Sequence, residues 1–298
     1  MYELSPGVFV LLHGFNAVRK VMIIGIDVGG STTKIVGIDR GCVKYPMFVK
    51  ANDPVTSLFG AFGKYLYDNS IPLADVEQVM LTGVGSSYIR QPLYGLPTAR
   101  TDEFIANGLG AQYVTDLRNL IVVSMGTGTS FVQVEGEQIR HIGGIGIGGG
   151  TLIGLSRLLL QTSDILWVAE LARKGDAENV DLLIQDICKT SLPGLPLHAT
   201  AALFGKADNN VRPEDVASGL IHMVLQSIGQ AAVLASLNSD IRDFVLIGNL
   251  TRLPQCEQVF RTIGAMYGVR FLIPEYAEYR TAIGAALTHI KQIAIHPV

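Results

Sequence analysis

Charge is scarce in this chain of 298 residues. Asp, Glu, Lys and Arg make up 16% of it, and 23 basic against 26 acidic residues leave a net charge of −3. A nucleic-acid binder working through bulk charge would carry a basic patch and a high isoelectric point, so that class is set aside. The three cysteines, Cys42, Cys188 and Cys256, are too few and too scattered for a zinc cluster or a disulfide framework. They read as reduced thiols of a cytoplasmic protein. No run of about 18 uninterrupted apolar residues occurs, which argues against a membrane-spanning helix. The six histidines show no metal-ligand spacing. Two common nucleotide motifs are missing as well. Gly205-Lys206 is followed by Ala207, so there is no Walker A loop, and no strand-turn-helix unit carries a dinucleotide fingerprint.

Apolar residues, at 48%, are plentiful enough for a large core, and the length suggests two domains. The 33 glycines exceed the usual ~7%. Residues 1–21 read as a leader. Their apolar stretch VFVLL is too short for a signal-peptide core, Glu3 stands where a basic region belongs, and Met22 opens the first strong strand. Residues 22–117 and 118–298 are then expected to form an N-terminal and a C-terminal lobe.

The division rests on a repeated plan. MIIGID (22–27) runs into a Gly-Gly turn and returns as TTKIVGID (32–39). About a hundred residues later NLIVVSMGTG (119–128) returns as TSFVQVEG (129–136). Two domains of similar plan facing each other are the expected architecture. Residues 54–69 and 101–114 have helical spacing, the second with Thr101 as candidate N-cap, and Pro213 opens a long helix to about Ser236.

Three glycine sites are candidates for chemistry. The turn Asp27-Val28-Gly29-Gly30-Ser31-Thr32-Thr33-Lys34 offers backbone N–H groups, hydroxyls and one cation to an anion, with Asp27 placed to order a hydrated magnesium ion. The turn Ser124-Met125-Gly126-Thr127-Gly128-Thr129-Ser130 repeats the pattern. Residues 143–150 hold six glycines. Each costs roughly 0.5–1 kcal/mol of folding entropy relative to Ala, which argues for an anion cradle at a helix start over core packing. Asp102 and Glu103 are the best carboxylates for a base, although by spacing alone helix-dipole complementation is the stronger explanation. His141, just before the glycine run, reads either as a structural histidine or as a ligand contact.

Taken together, GIDVGGSTTK, LTGVGSS, TDEFIANGLG, SMGTGTS, HIGGIGIGGGTLIGL, LIGN and TAIGAAL resemble the type II pantothenate kinases. These belong to the superfamily of acetate and sugar kinases, heat-shock chaperones and actin. The resemblance runs from Met22 to about Leu287 and implies an α/β fold of two ribonuclease-H-like lobes around a nucleotide cleft. It implies ATP-dependent phosphorylation of pantothenate in a homodimer, with the long helix from Pro213 as a candidate interface. Glu103 matches the general base. Asp27 would hold Mg2+ through water, and Gly29, Gly30, Ser31, Thr32 and Lys34 would hold the phosphates together with Gly126, Thr127 and Gly128. Gly148, Gly149 and Gly150 would line the ATP site, Gly248 and Asn249 would lie near the adenosine, and Ser124 and Thr127 would contact pantothenate.

Two departures stand out. Where relatives carry a substrate-gripping arginine, this chain has His141, with Arg140 one residue earlier. A one-residue shift on a strand turns a side chain to the other face. Either His141 takes over with a weaker, pH-dependent contact, or a bulge brings Arg140 round, or the substrate differs from pantothenate. Arg280 stands where small residues are common. A sugar or amino-sugar kinase of the same superfamily is the alternative reading, and an ATPase switch without a small-molecule acceptor is another.

Overall fold

The computed structural model describes residues 22–50, 53–113, 115, 117–188, 190, 196–293 and 296–297. Residues 1–21, expected to be a leader, lie outside the described residues. The strands are β1 (Met22–Val28), β2 (Thr32–Asp39), β3 (Cys42–Lys50), β4 (Val76–Thr82), β5 (Thr98–Arg100), β6 (Asn119–Met125), β7 (Thr129–Glu135), β8 (Gln138–Ile145), β9 (Leu182–Leu183), β10 (Thr200–Ala202), β11 (Asp243–Ile247), β12 (Arg270–Leu272) and β13 (His296–Pro297). The α-helices are α1 (Pro54–Asp68), α2 (Glu103–Gln112), α3 (Gly149–Leu160), α4 (Ile165–Ala172), α5 (Ile184–Ile187), α6 (Pro213–Ala235), α7 (Cys256–Tyr267) and α8 (Arg280–Ile290).

Two mixed sheets organise these elements. The first runs β13-β5-β4-β1-β2-β3 and the second β12-β11-β6-β7-β8. Leaving β13 aside, the order is the same in both. Each sheet has an antiparallel hairpin extended by a third antiparallel strand, and two parallel strands on the other side of the hairpin's first strand. The parallel neighbours explain the near-continuous apolar runs of β1, β6 and β11, which are covered on both faces. Ile24, Ile26 and Val28 of β1 pack on Leu58, Phe62 and Tyr65 of α1. Val123, Met125 and Leu246 of the second sheet pack on Leu220, Val224 and Ile228 of α6.

Local chemistry sets the helix starts. The Asp53 carboxylate accepts from the Thr56 N–H at 2.6 Å and Pro54 occupies the first turn, so α1 begins there. In α2 the cap is Asp102, whose Oδ1 accepts from the N–H groups of Phe104 and Ile105, and not the expected Thr101. The Thr101 N–H is bonded to the Leu81 carbonyl and still belongs to the sheet. The long helix α6, expected as an interface between copies, packs inside its own chain against α3, α4 and α7. It is long and apolar enough to cross a membrane by composition, but its apolar residues fill the core.

Strands β1–β5 precede residue 118 and β6–β8, β11 and β12 follow it, but the helices and β13 do not keep to that division. Helix α8 and strand β13, late in the chain, join the first sheet, while α2 also packs on the second. The two helices cross in backbone contact between the lobes. A Cβ added to Gly284 would lie 1.7 Å from the Ala106 carbonyl oxygen, and one at Gly110 would lie 1.9 Å from that of Arg280. No side-chain rotation relieves a clash with backbone. Gly284→Ala is therefore expected to cost more than about 3 kcal/mol in denaturant unfolding. Gly60→Ala in α1, where an added Cβ meets nothing within 4 Å, is expected to stabilise by roughly 0.5–1 kcal/mol.

Candidate functional site

Both glycine turns sit at hairpin tips on facing lobes. In the first, the Gly29 N–H donates to the Thr32 carbonyl at 2.9 Å, and Asp27 and Lys34 come opposite each other at the bases of the two strands. The Lys34 ammonium lies 3.3 Å from Asp27 Oδ2, with both groups buried. The second turn spans Gly126–Gly128 between Met125 and Thr129. A Cβ added at Gly30 would lie 3.9 Å from Thr127 Oγ1, so the tips approach each other across the gap between lobes.

The parallel strand β4 completes the floor. Thr82 stands beside Asp27 in register, and its buried hydroxyl has no hydrogen-bond partner among the described residues. The next residue, Gly83, has φ +84, and a Cβ there would lie 2.5 Å from Asp27 Oδ1. Glycine at 83 thus leaves the carboxylate's free side open. A buried carboxylate, a nearby hydroxyl and space for water are the hard-oxygen chemistry that suits Mg2+. Sequence reasoning passed over Thr82, whose only signal is its place at the end of a strand beside Asp27.

Glu103 enters from α2. As the first helical residue it projects from the end nearest the turns, and it is half-buried. Burial is the largest influence on its carboxyl, followed by the Asp27 charge; Lys34 works the other way and Asp102 adds to the rise. Together they push its pKa up from 4.5 to about 7. The two adjacent carboxylates thus have separate roles. Asp102 caps the helix, and Glu103 lies within electrostatic reach of the Asp27–Lys34 pair.

The glycine run 143–150 is only partly what the sequence suggested. Its first half is strand, since β8 runs to Ile145. A Cβ at Gly148 would lie 2.6 Å from the Thr127 carbonyl oxygen, and one at Gly150 would lie 3.0 Å from it. The N–H groups of Gly149 and Gly150 donate to the carbonyls of Gly126 and Thr127, at 2.8 and 2.9 Å. These glycines seat the second turn on the start of α3, and two helix-start donors are already engaged. Backbone-on-backbone packing leaves no room for a Cβ at Gly148. Gly248 (φ +96) ends β11 against Met125, and Asn249 follows it with a buried Oδ1 that has no hydrogen-bond partner among the described residues.

His141 and Arg140 point to opposite faces. His141 pairs with Val132 and Arg140 with Gln133, and the register slips only afterwards, leaving Ile142 as the extra residue. The bulge therefore does not bring Arg140 round. The Arg140 guanidinium donates to Gln133 Oε1 at 2.8 Å, while the His141 ring stacks on Phe104 at 4.0 Å between centroids. Phe104 is the neighbour of Glu103, so His141 stands at the site's edge. Ser124 lies at the end of β6 beside Ile247. Two grooves, of about 820 and 1,110 Å³, line α7 in the second lobe and contain none of these residues. The His222–Asp181 pair, at 2.6 Å, lies in the smaller one.

Two sheets of the same strand order, with turns facing across a cleft, define the actin-like ATPase fold. Solved structures agree on the fold. An activator of 2-hydroxyisocaproyl-CoA dehydratase from Clostridium difficile with bound ADPNP matches with a TM-score of 0.67 at 13% identity, covering 91% of this chain and 95% of that one. A ROK family glucokinase from Streptomyces griseus in complex with glucose and AMPPNP matches at 0.56 and 15%, covering 89% and 98%. In sequence, the type II pantothenate kinase of Staphylococcus haemolyticus (strain JCSC1435) is 27% identical over 274 residues, 89% of this chain and 98% of that protein. The family model named Fumble matches residues 109–286. The chain belongs to the Fumble family.

The raised Glu103 pKa has a consequence for folding. The folded chain holds this proton more tightly than the unfolded chain does. The protonated carboxyl's contribution is complete below about pH 4.5 and is lost as pH rises through about 7. Glu103→Gln, which stays neutral, is expected to be more stable than the wild type at pH 8 by about 1–3 kcal/mol. The difference should narrow towards pH 5, as measured by thermal unfolding without ligands.

Proposed function

We propose that this protein transfers the terminal phosphoryl group of ATP to the primary hydroxyl of pantothenate. The observation that carries the reading is the placement of Glu103, half-buried against Asp27 and Lys34, with its carboxyl titrating near 7. Named relatives along most of the chain support pantothenate as the acceptor.

Phosphoryl transfer needs positioning and charge compensation more than covalent help. Glu103 takes the proton of the acceptor hydroxyl, and a base near 7 is matched to that task at neutral pH. Lys34 sets a positive charge beside the reacting groups, and the turns Gly29–Thr32 and Gly126–Gly128 surround the phosphates from the two lobes. Asp27 would hold Mg2+, with Thr82 beside it. The metal, when bound, neutralises charge on the phosphates. Gly248 and Asn249 flank the adenosine, Gly148–Gly150 support the second turn from below, and Ser124, Thr127 and His141 line the acceptor side. His141, on the α2 face, contacts the substrate, and Arg140 does not.

ADP release with ATP and magnesium, with and without pantothenate, tests the reading. Pantothenate-dependent turnover should fall about 10²–10⁴-fold in Glu103→Gln. Below pH 7 the wild-type kcat should drop with the Glu103 proton. Turnover with glucose but not pantothenate, or ATP hydrolysis that needs no acceptor, would sink it. For the acceptor side, His141→Ala should raise KM for pantothenate at least several-fold, and Arg140→Ala should leave it near wild type. The reverse pattern would move the contact to Arg140.

A further inference from the structure

Helix α2 carries Glu103 at one end, and its other end is held by one buried cation. Arg280, only 3% exposed, opens α8. Its Nη1 donates to the carbonyls of Gly110, at 3.0 Å, and Tyr113, and its guanidinium carbon lies 5.5 Å from the Tyr113 ring centroid. These carbonyls close α2, where the negative end of the helix favours a cation. The Arg280 Nε donates to the Glu275 carbonyl at 2.8 Å. Glu275 leads into the turn Ala277–Tyr279, whose Ala277 carbonyl accepts from the Gly248 N–H at 3.0 Å. An unbroken set of bonds therefore runs from the turn at the end of β11 to the end of the helix that carries Glu103.

The next residue ties α2 a second time. Thr281 Oγ1 donates to Asn107 Oδ1 at 2.8 Å, both side chains being buried. Asn107 is four residues beyond Glu103 and on the same helix face. Beside these ties the backbones touch at Gly110 and Gly284, so little side-chain slack separates the helices. A buried Arg is costly to desolvate. A neutral residue could fill the space, but it could not hold the last carbonyls of α2 and the Glu275 carbonyl at once.

We propose that Arg280 is a positioning residue that couples the turn at Gly248 to helix α2, so that a nucleotide at that turn fixes where Glu103 stands. The coupling itself needs only the nucleotide site. Its effect on turnover rests on the proposed role of Glu103. Movement at Gly248 passes through residues 275–280 into α2, because the bonded and touching backbones leave no joint to absorb it.

The test compares wild type with Arg280→Met, which keeps the bulk and removes the donors, and Arg280→Lys, which keeps the charge. Hydrogen–deuterium exchange of the α2 amides is followed with and without a non-hydrolysable ATP analogue. Exchange in wild type should slow about fivefold or more on binding. In Arg280→Met this protection should vanish while the analogue still binds. The kcat per folded molecule should fall about tenfold with KM for pantothenate little changed, and Arg280→Lys should recover part of both. If Arg280→Met does not fold, Thr281→Val cuts the second tie without touching the charge and should weaken the protection in the same direction. Unchanged protection and kcat in these variants, or no protection in wild type, overturns the proposal. Loss of thermal stability alone, with both readouts intact, overturns it too. Should Glu103→Gln keep full activity while the exchange pattern holds, the base assignment fails and the coupling stands.

Discussion

Two helix backbones in direct contact set the spacing of the whole molecule. Each lobe presents a sheet, and α2 and α8 fill the space between the sheets with no side chain at their closest approach. That is possible only because residues 110 and 284 lack a Cβ. A larger residue at either place would push the sheets apart, and the tips at Gly30 and Thr127 with them. The gap where two turns can act on one ligand is therefore fixed by packing well away from it. The catalytic carboxylate proposed here belongs to one of those two helices, so its position follows from the same contact.

The cleft's electrostatics follow from that geometry. Asp27 and Glu103 share one buried cation, Lys34, and the lysine is bonded to Asp27. Burial does most to make Glu103 hold its proton and the Asp27 charge adds to it, while Lys34 offsets only part of the rise. In water the two carboxylates would both ionise well below neutrality. Here Glu103 exchanges its proton near pH 7.

Much of this was legible before any coordinates. Gly-Gly and Gly-Thr-Gly flanked by apolar runs mark hairpins because few other residues bend the chain so tightly, and both turns lie where they were expected. Other features were hidden for definite reasons. Thr101 and Asp102 are both good helix caps, and only the strand pairing of Leu81 decides between them. Glycines that bind an anion and glycines that let two backbones touch look alike in sequence, so the packing role of Gly148 and Gly150 was hidden. Helical periodicity shows that α2 and α8 have apolar faces but not which sheet each covers. The contact between His141 and Phe104 joins a strand and a helix more than thirty residues apart. Arg280 looked out of place because its partners are carbonyls, which every residue has.

The return of the chain to its starting sheet bears on how the protein is made. Helix α8 covers β1, β2 and β4, and β13 pairs with β5 beyond it. A polypeptide leaving the ribosome completes the strands of the second sheet while one face of the first still waits for its cover. The hydrophobic surface formed by Val36 and Ile38, which Ala282, Ile283 and Ala286 later shield, stays open to water throughout elongation. The first lobe to be synthesised is thus the last to be finished, and the nascent chain depends longest on whatever protects that surface in the cell.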